Sequence, residues 1–372
     1  MLNIIEFIRR NKDWEEKLSD KPFCLKIKRK DGYIMFNYNQ IDSNFSNPIV
    51  REARGIIFRE KDFQPVCVPF FKFFNYGEGH ADSIDWKTAR ILDKVDGSII
   101  KVWHDKKWHV STNGTIDAFD APVSVPMNGI ENFGQLFMDA LRETAPAPVY
   151  NDFINGTDEV LNSNSTHIFE LVSPITRVVL EYPKNKLFHI GNRNNNSLME
   201  YEYDLGIEKP ASFKFNSLED CINAAQALSG KEGFVVVDAD YHRVKIKSVE
   251  YLNLHHLKGE GVMTKKRALA LIDIHEDEEY LATFKEYIPI FNEVKSDLEV
   301  FKKSFENAQK EAENKLSVTR KEFADWVSQY ILKTGMKHLS SFLFEFYTKR
   351  TSWEEFYKNL DSEKKYKYIY RE

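Results

Sequence analysis

Lys94-Val95-Asp96-Gly97-Ser98 decides the reading of this chain because three further segments succeed it in a set order. First comes an apolar run holding one acid, Ile168-Phe169-Glu170-Leu171-Val172. Then come Glu232-Gly233-Phe234-Val235-Val236-Val237 and finally Val244-Lys245-Ile246-Lys247. Each has an ordinary explanation. Asp-Gly marks a hairpin turn, which makes Lys94 a solvated lysine beside it. Glu170 lies either on the open face of a half-buried strand or inside a site. Glu232 alone reads as a loop charge. Lys245 and Lys247, two apart on a strand, share a face that is ordinarily solvated.

In this order, on a strand-rich stretch, the four elements are also the parts needed to place a nucleotide on a lysine. An amine that attacks an α-phosphate must be neutral. A free lysine titrates near ~10.4, so cations or desolvation must lower it. Val95 is apolar, and Lys245 and Lys247 supply positive neighbours. Asp96-Gly97 fits a tight turn that sets Lys94 and a ribose-binding group at the start of a strand. A carboxylate at a strand mouth, Glu232, suits a hydrated Mg²⁺. Paired lysines suit a triphosphate and offset the charge that develops as pyrophosphate leaves.

The surrounding sequence bounds the class. With 372 residues the chain is long enough for two domains. Hydrophobic content of 42%, aromatic content of 14% and 28 Phe describe an ordered globular protein. A net charge of −5 offers no global positive field, so a nucleic acid would have to meet a local basic patch. Cys24, Cys67 and Cys221 are widely spaced and read as buried thiols of a reducing compartment. Residues 1–10 start an amphipathic helix and lack the features of a signal peptide. No run approaches the ~18 apolar residues of a membrane span.

Along the chain, residues 1–19 read as helical, and Asp31-Gly32 as the turn of a hairpin between Leu25-Lys26-Ile27-Lys28 and Tyr33-Ile34-Met35-Phe36. Strands are expected at Gly55–Phe58, Ser98–Trp103, His167–Val172, Arg177–Leu180 and Gly233–Val237, with helices near Phe133–Leu141 and Leu218–Leu228. The rest of Asn113–Thr166 reads as long surface loops. After about Tyr251, Gly and Pro become scarce. Phe291, Val294, Leu298, Phe301, Phe305, Ala308 and Ala312 recur at spacings of three and four, one apolar stripe on a long helix. Further helices are expected at Lys321–Leu332 and Leu339–Tyr347. The stripe is expected to pack on its own neighbours rather than form a coiled-coil dimer.

A Walker loop, a dinucleotide-binding glycine fingerprint, H-E-x-x-H and the kinase H-R-D set are all absent from the sequence. The ten His form no ligand spacing, and the adjacent His255 and His256 point apart on a helix.

The motif set resembles the covalent lysyl-nucleotidyltransferase superfamily of ATP-dependent RNA and DNA ligases and mRNA-capping enzymes. Lys94–Gly97 matches its first motif and Phe169-Glu170 its third. Leu187-Phe188-His189-Ile190 falls where a nucleobase-contacting motif is expected. Glu232-Gly233 matches the fourth, and Lys245-Ile246-Lys247 the fifth. Arg51-Glu52-Ala53-Arg54-Gly55-Ile56-Ile57-Phe58 and Pro69-Phe70-Phe71-Lys72-Phe73-Phe74-Asn75 are similar to upstream segments of the bacteriophage tRNA-repair RNA ligases, the RNA ligase 1 type. The similarity runs from about residue 50 to 256. It departs at Val110-Ser111-Thr112-Asn113-Gly114-Thr115, neutral where that family often carries lysines.

The resemblance implies an α+β fold: an antiparallel-sheet nucleotidyltransferase domain over residues 1–251, then an all-α C-terminal domain over 252–372 that selects RNA. DNA ligases and capping enzymes usually append a β-rich domain there. The implied activity joins 5′-phosphate and 3′-hydroxyl RNA ends through lysyl-AMP and an adenylylated 5′ end, in tRNA repair. Lys94 is the implied nucleophile, with Lys245 and Lys247 as catalytic, phosphate-binding partners. ATP contacts fall to Arg54, Lys72, Phe74, Asp96, Gly97, Glu170, Phe188 and Ile190, with either Phe188 or Ile190 on adenine. Glu170 and Glu232 are the implied ligands of Mg²⁺ or Mn²⁺. The expected partner is single-stranded or nicked-loop RNA, a tRNA above all. A monomer in a host cytoplasm is expected, with no membrane and no obligatory protein partner. A DNA ligase, a capping-type enzyme and a non-catalytic RNA-binding protein on the same scaffold remain alternatives.

Overall fold

The structure, a computed structural model, describes the chain except residues 41, 177–178, 253–262 and 371–372. It divides into two units, Met1–Glu260 and Gly261–Glu372.

The first unit opens with α1 (Asn3–Arg10) and α2 (Trp14–Ser19), then β1 (Lys26–Lys30) and β2 (Tyr33–Asn37). The expected hairpin is present. Asp31 and Gly32 both take positive φ, 51° and 80°, the turn whose twist matches that of the strands. Next come α3 (Pro48–Glu52), β3 (Arg54–Arg59), β4 (Pro65–Cys67), β5 (Phe74–Asn75), β6 (Arg90–Asp93), β7 (Ser98–Asp105) and β8 (Lys107–Thr112). The stretch read as loops contains a hairpin, β9 (Pro122–Met127) and β10 (Ile130–Asn132), and then α4 (Phe133–Thr144) and α5 (Ala147–Asn155). Its Pro, Asn and Gly residues sit at caps and turns: Asn132 caps α4 and Gly156 ends α5 in the left-handed conformation. The unit continues with β11 (Ser165–Val172), β12 (Lys186–Asn194), β13 (Glu200–Tyr201), β14 (Ser212–Phe213), α6 (Leu218–Gln226), β15 (Gly233–Val237) and β16 (Arg243–Lys247).

Three main sheets result. Strands β1–β4 form one in sequence order. A second has the order β13-β12-β11-β7-β8 and a third β14-β6-β15-β16-β5. Pairing is antiparallel except for β16 beside β5. Each sheet is covered on an apolar face, and the first sheet on both. Against β1–β4 pack Ile4, Ile5 and Ile8 of α1. Leu136, Phe137 and Ala140 of α4 cover the second sheet, and Cys221 and Ala225 of α6 the third. Trp103 of β7 meets Met35 and Ile57 on the other face of the first sheet. Cys67 and Cys221 are buried, whereas Cys24 is half-exposed.

The expected strand over Arg177–Leu180 is not formed in its described part. Val179 and Leu180 lie in a bend, and both amides donate to the carboxylate of Asp96, at 2.9 and 2.7 Å. Their N–H groups have a side-chain acceptor in place of a strand partner.

Glu52 closes the start of α1. Its carboxylate accepts from the backbone N–H of Asn3 and Ile4, both at 2.9 Å, and from the Asn3 amide at 2.6 Å. Leu2 at the cap position has no side-chain acceptor, so a residue from α3 satisfies the orphan donors of the helix end.

The second unit, described by itself, is helical throughout its described residues. The stripe lies on one helix, Ile288–Glu313, and all seven of its predicted positions are buried there. Phe301, Phe305, Ala308 and Ala312 pack on Phe323 and Val327 of Arg320–Thr334 and on Phe342 and Phe346 of Leu339–Lys349. Thr319 and Glu322 close the second of these helices with a capping box. His255 and His256 lie outside the described residues.

The cap bridge carries a prediction. Glu52→Ala leaves the buried N–H of Ile4 and the part-buried N–H of Asn3 unmet and lowers stability by ~1–3 kcal/mol. A lower urea midpoint and faster hydrogen exchange at the Asn3 and Ile4 amides would report it.

Candidate active site

A cavity of about 830 Å³ opens between the second and third sheets. Lys94 lies where the chain leaves β6 of one sheet for β7 of the other. Its backbone N–H donates to the Gly233 carbonyl at 2.9 Å, and its ammonium forms an ion pair with Glu232. Glycines make both approaches possible. A Cβ at Gly233, whose φ is +140°, would meet the Ile246 carbonyl oxygen at 2.1 Å, and one at Gly97 would meet that of Leu171 at 2.6 Å. The turn is fixed from a third side by Asp96. Its carboxylate accepts from Val179, Leu180 and the Tyr251 hydroxyl, the last at 2.9 Å. Buried and committed to these protein partners, Asp96 holds the turn that presents Lys94.

Glu170 is the only residue of β11 that is not fully buried. Burial pushes its carboxyl up to about 8, opposed by Lys94 and reinforced by Glu232. Glu232 is raised for the same first reason, burial, against the pull of Lys94. Lys245 and Lys247 share a face of β16. Lys245 stands opposite Val235 and Lys247 opposite Gly233. Lys245 is held well below the usual lysine range by burial and then by Lys72, Lys94, Arg54 and Lys247. Arg54 and Lys245 both lie over the ring of Phe73, each at 5.1 Å.

The structure thus brings Lys94, Glu170, Glu232, Arg54 and Lys245 into one electrostatic cluster. Lys247 lies beside Tyr251 at 5.6 Å, outside the cavity lining, and feels the same cluster. Other expected positions move. Phe74 turns into the core, 4% exposed, paired with Val244 and packed on Phe45 and His80. Its neighbour Phe73 lines the cavity instead, because successive strand residues face opposite ways. Lys72 lies over Tyr38, Phe45 and Phe74 and lines a second, smaller cavity. Of the base-contact pair, Ile190 lines the main cavity and Phe188 lies outside its lining, under Lys186 at 4.6 Å.

Lys101 is not among the expected site residues, although a lysine inside the apolar run Ile99-Ile100-Lys101-Val102-Trp103 is a visible signal. It stands opposite Ser111 on β8, in register with the strand whose expected cations are missing. Fully buried, it donates to the Gly55 carbonyl at 2.5 Å, next to Arg54, and burial lowers it to about 8.

Half-buried Glu170 and buried Glu232 are two oxygen donors, and the charge of Glu232 disfavours that of Glu170, which a divalent cation between them would relieve. Among the described residues no group of three or more His, Cys, Asp or Glu converges. An ion that takes two carboxylates, phosphate and water fits this set, which is the habit of Mg²⁺.

These parts form a lysine-centred site with cations and carboxylates around one cavity. The chain belongs to the RNA ligase family, whose profile matches residues 52–251. Over 288 residues it is 31% identical to a protein named as a bifunctional polynucleotide kinase/RNA ligase of Autographa californica nuclear polyhedrosis virus. That match takes in 72% of this chain and 40% of the viral protein. It is 24% identical to an RNA ligase of Rhodothermus phage RM378, over 78% of this chain and 79% of the relative. An archaeal ATP-dependent RNA ligase structure aligns over 79% of both chains at 10% identity and a TM-score of 0.46.

Glu170 sets a pH dependence. A carboxyl raised from 4.5 to about 8 in the folded state contributes stability that is fully present below the unfolded value and is lost as pH rises through 8. Lys245 and Lys101, both lowered, act with the opposite sign. The difference between wild type and Glu170→Gln therefore isolates the carboxyl. Without nucleotide or metal, the variant's advantage in urea midpoint should grow from pH 5 to pH 8.5.

Proposed function

We propose that the chain is an ATP-dependent RNA ligase that works through AMP bound to Lys94. The observation that carries this reading is the ion pair of Lys94 with buried Glu232 at a cavity that also holds Glu170, Arg54 and Lys245, in a chain of the RNA ligase family. Residues 1–251 form the adenylyltransferase part, and residues 252–372 select the RNA.

In the first step Lys94, as the neutral amine, attacks the α-phosphorus of ATP. A nitrogen–phosphorus bond forms and the bond to pyrophosphate breaks. Lys245, with Lys247 behind it and Arg54 across Phe73, offsets the charge gathering on pyrophosphate. Glu170 and Glu232 would hold a hydrated Mg²⁺ or Mn²⁺, which would supply further positive charge at the phosphates. Asp96 and Gly97 keep the lysine turn in place, and Ile190 offers the apolar surface for the base. In the second step an RNA 5′-phosphate attacks the lysine-bound phosphorus and the amine leaves. In the third a 3′-hydroxyl attacks the activated end and AMP leaves. The acceptor proposed is a broken tRNA anticodon loop, in a repair reaction of the bacteriophage type.

The intact mass after incubation with ATP and Mg²⁺, without RNA, tests the reading. Wild type should gain one AMP and Lys94→Ala none. A gain with GTP alone would move the reading to a capping-type enzyme. No gain with either nucleotide would leave an RNA-binding protein as the better account. Lys245→Met should slow adenylate formation by roughly 10²–10³-fold, the cost of removing one preorganised donor from a developing charge, as read by single-turnover kinetics.

A further inference from the structure

The first unit carries a second cavity, of about 250 Å³, that meets the main one at Phe73, Tyr241, Glu200 and Arg243. It is lined by more cations than acids. Arg51, Lys72, Arg193 and Arg243 all line it.

Its three acids are already engaged. Glu52 caps α1. Glu200 is clamped between Arg193 at 2.7 Å and Arg243 at 2.8 and 2.5 Å. Asp82 accepts from the Arg243 backbone N–H at 3.1 Å.

The cations are less satisfied. Arg193 is 7% exposed, stacked on Phe71 at 4.1 Å, and its Nε is buried with no hydrogen-bond partner. Arg51 donates its Nε to the Phe45 carbonyl and lies over Phe74. Among the described residues neither Arg51 nor Lys72 forms an ion pair with a carboxylate. A small concavity with cations in excess of free acids, and a buried orphan guanidinium N–H, is built for a compact anion with several acceptor oxygens.

We propose that this cavity is a second phosphate subsite, with Arg51 and Arg193 as its donors and Arg243 at the passage from the nucleotide cavity. The proposal rests on the ligase reading for the identity of the phosphate. Two sources share the chemistry: the terminal phosphates of ATP, released as pyrophosphate, and a phosphate of the RNA strand.

The experiment is calorimetric titration of the full chain with inorganic pyrophosphate and, separately, with AMP, for wild type and Arg51→Met. A thermal melt of each protein checks folding. Arg193→Met serves as a second variant. The expected result is at least a tenfold weaker pyrophosphate affinity in Arg51→Met, with AMP affinity unchanged. Equal pyrophosphate affinity in folded wild type and both folded variants would overturn the subsite.

Kinetics then separate the sources. If the ATP tail occupies the cavity, Arg51→Met raises KM for ATP in adenylate formation and leaves the joining of pre-adenylylated RNA unchanged. If an RNA phosphate occupies it, the joining of pre-adenylylated RNA slows while adenylate formation is unchanged. The titration reads binding alone. A chain that binds pyrophosphate through Arg51 but forms no adenylate would therefore sink the ligase reading and leave the subsite standing.

Discussion

The first unit depends on one arrangement: a lysine ammonium paired with a buried carboxylate at the crossing between two sheets. Lys94 is tied to β15 by its backbone and to Glu232 by its side chain. Removing both charges from water is costly, and either one left alone would be more costly still. The pair is therefore braced from every side. Asp96 pins the turn to the 179–180 bend and to Tyr251. Gly97 and Gly233 let strands approach where a side chain could not fit. The Ser248 N–H donates to the Glu232 carbonyl at 2.8 Å, and the Ser248 hydroxyl to that of Lys231 at 2.7 Å.

Around this pair the charges are graded by burial. Glu170 and Glu232 are pushed toward neutrality, and so is Lys245 from the other sign. A site whose burial disfavours the charged forms of several ionisable groups is ready to receive a polyanion and its counter-cation, because their arrival restores the charges that burial suppresses. The aromatic residues contribute here as well. Phe73 separates the two cavities and carries Arg54 and Lys245 on its ring, while Phe70 and Phe71 carry Arg243 and Arg193. Flat rings hold guanidinium groups in place without neutralising them.

Much of this was legible beforehand. The helical stripe of the second unit, the Asp31-Gly32 hairpin and the main strands stem from periodicity and turn chemistry, which are local. So does the sharing of one strand face by Lys245 and Lys247. The loops between 113 and 166 were misread because cap and turn residues look alike whether they punctuate short elements or fill a long loop. The bend at Val179-Leu180 escaped because its β-branched and apolar residues favour a strand, and the acceptor that overrules them, Asp96, lies more than eighty residues away.

By itself, then, the sequence determined which residues carry chemistry and in what order, since charge type, glycine placement and local period are properties of the chain. Only the tertiary structure decided which of two adjacent phenylalanines faces the cavity and that Lys101 lies opposite neutral Ser111. It also decided that Arg51, Arg193 and Arg243, from separate stretches of the chain, surround a common space. Those outcomes depend on strand register and on contacts between distant segments. Desolvation, which sets the charge state of Glu170 and Lys245, exists only once the sheets have closed over them.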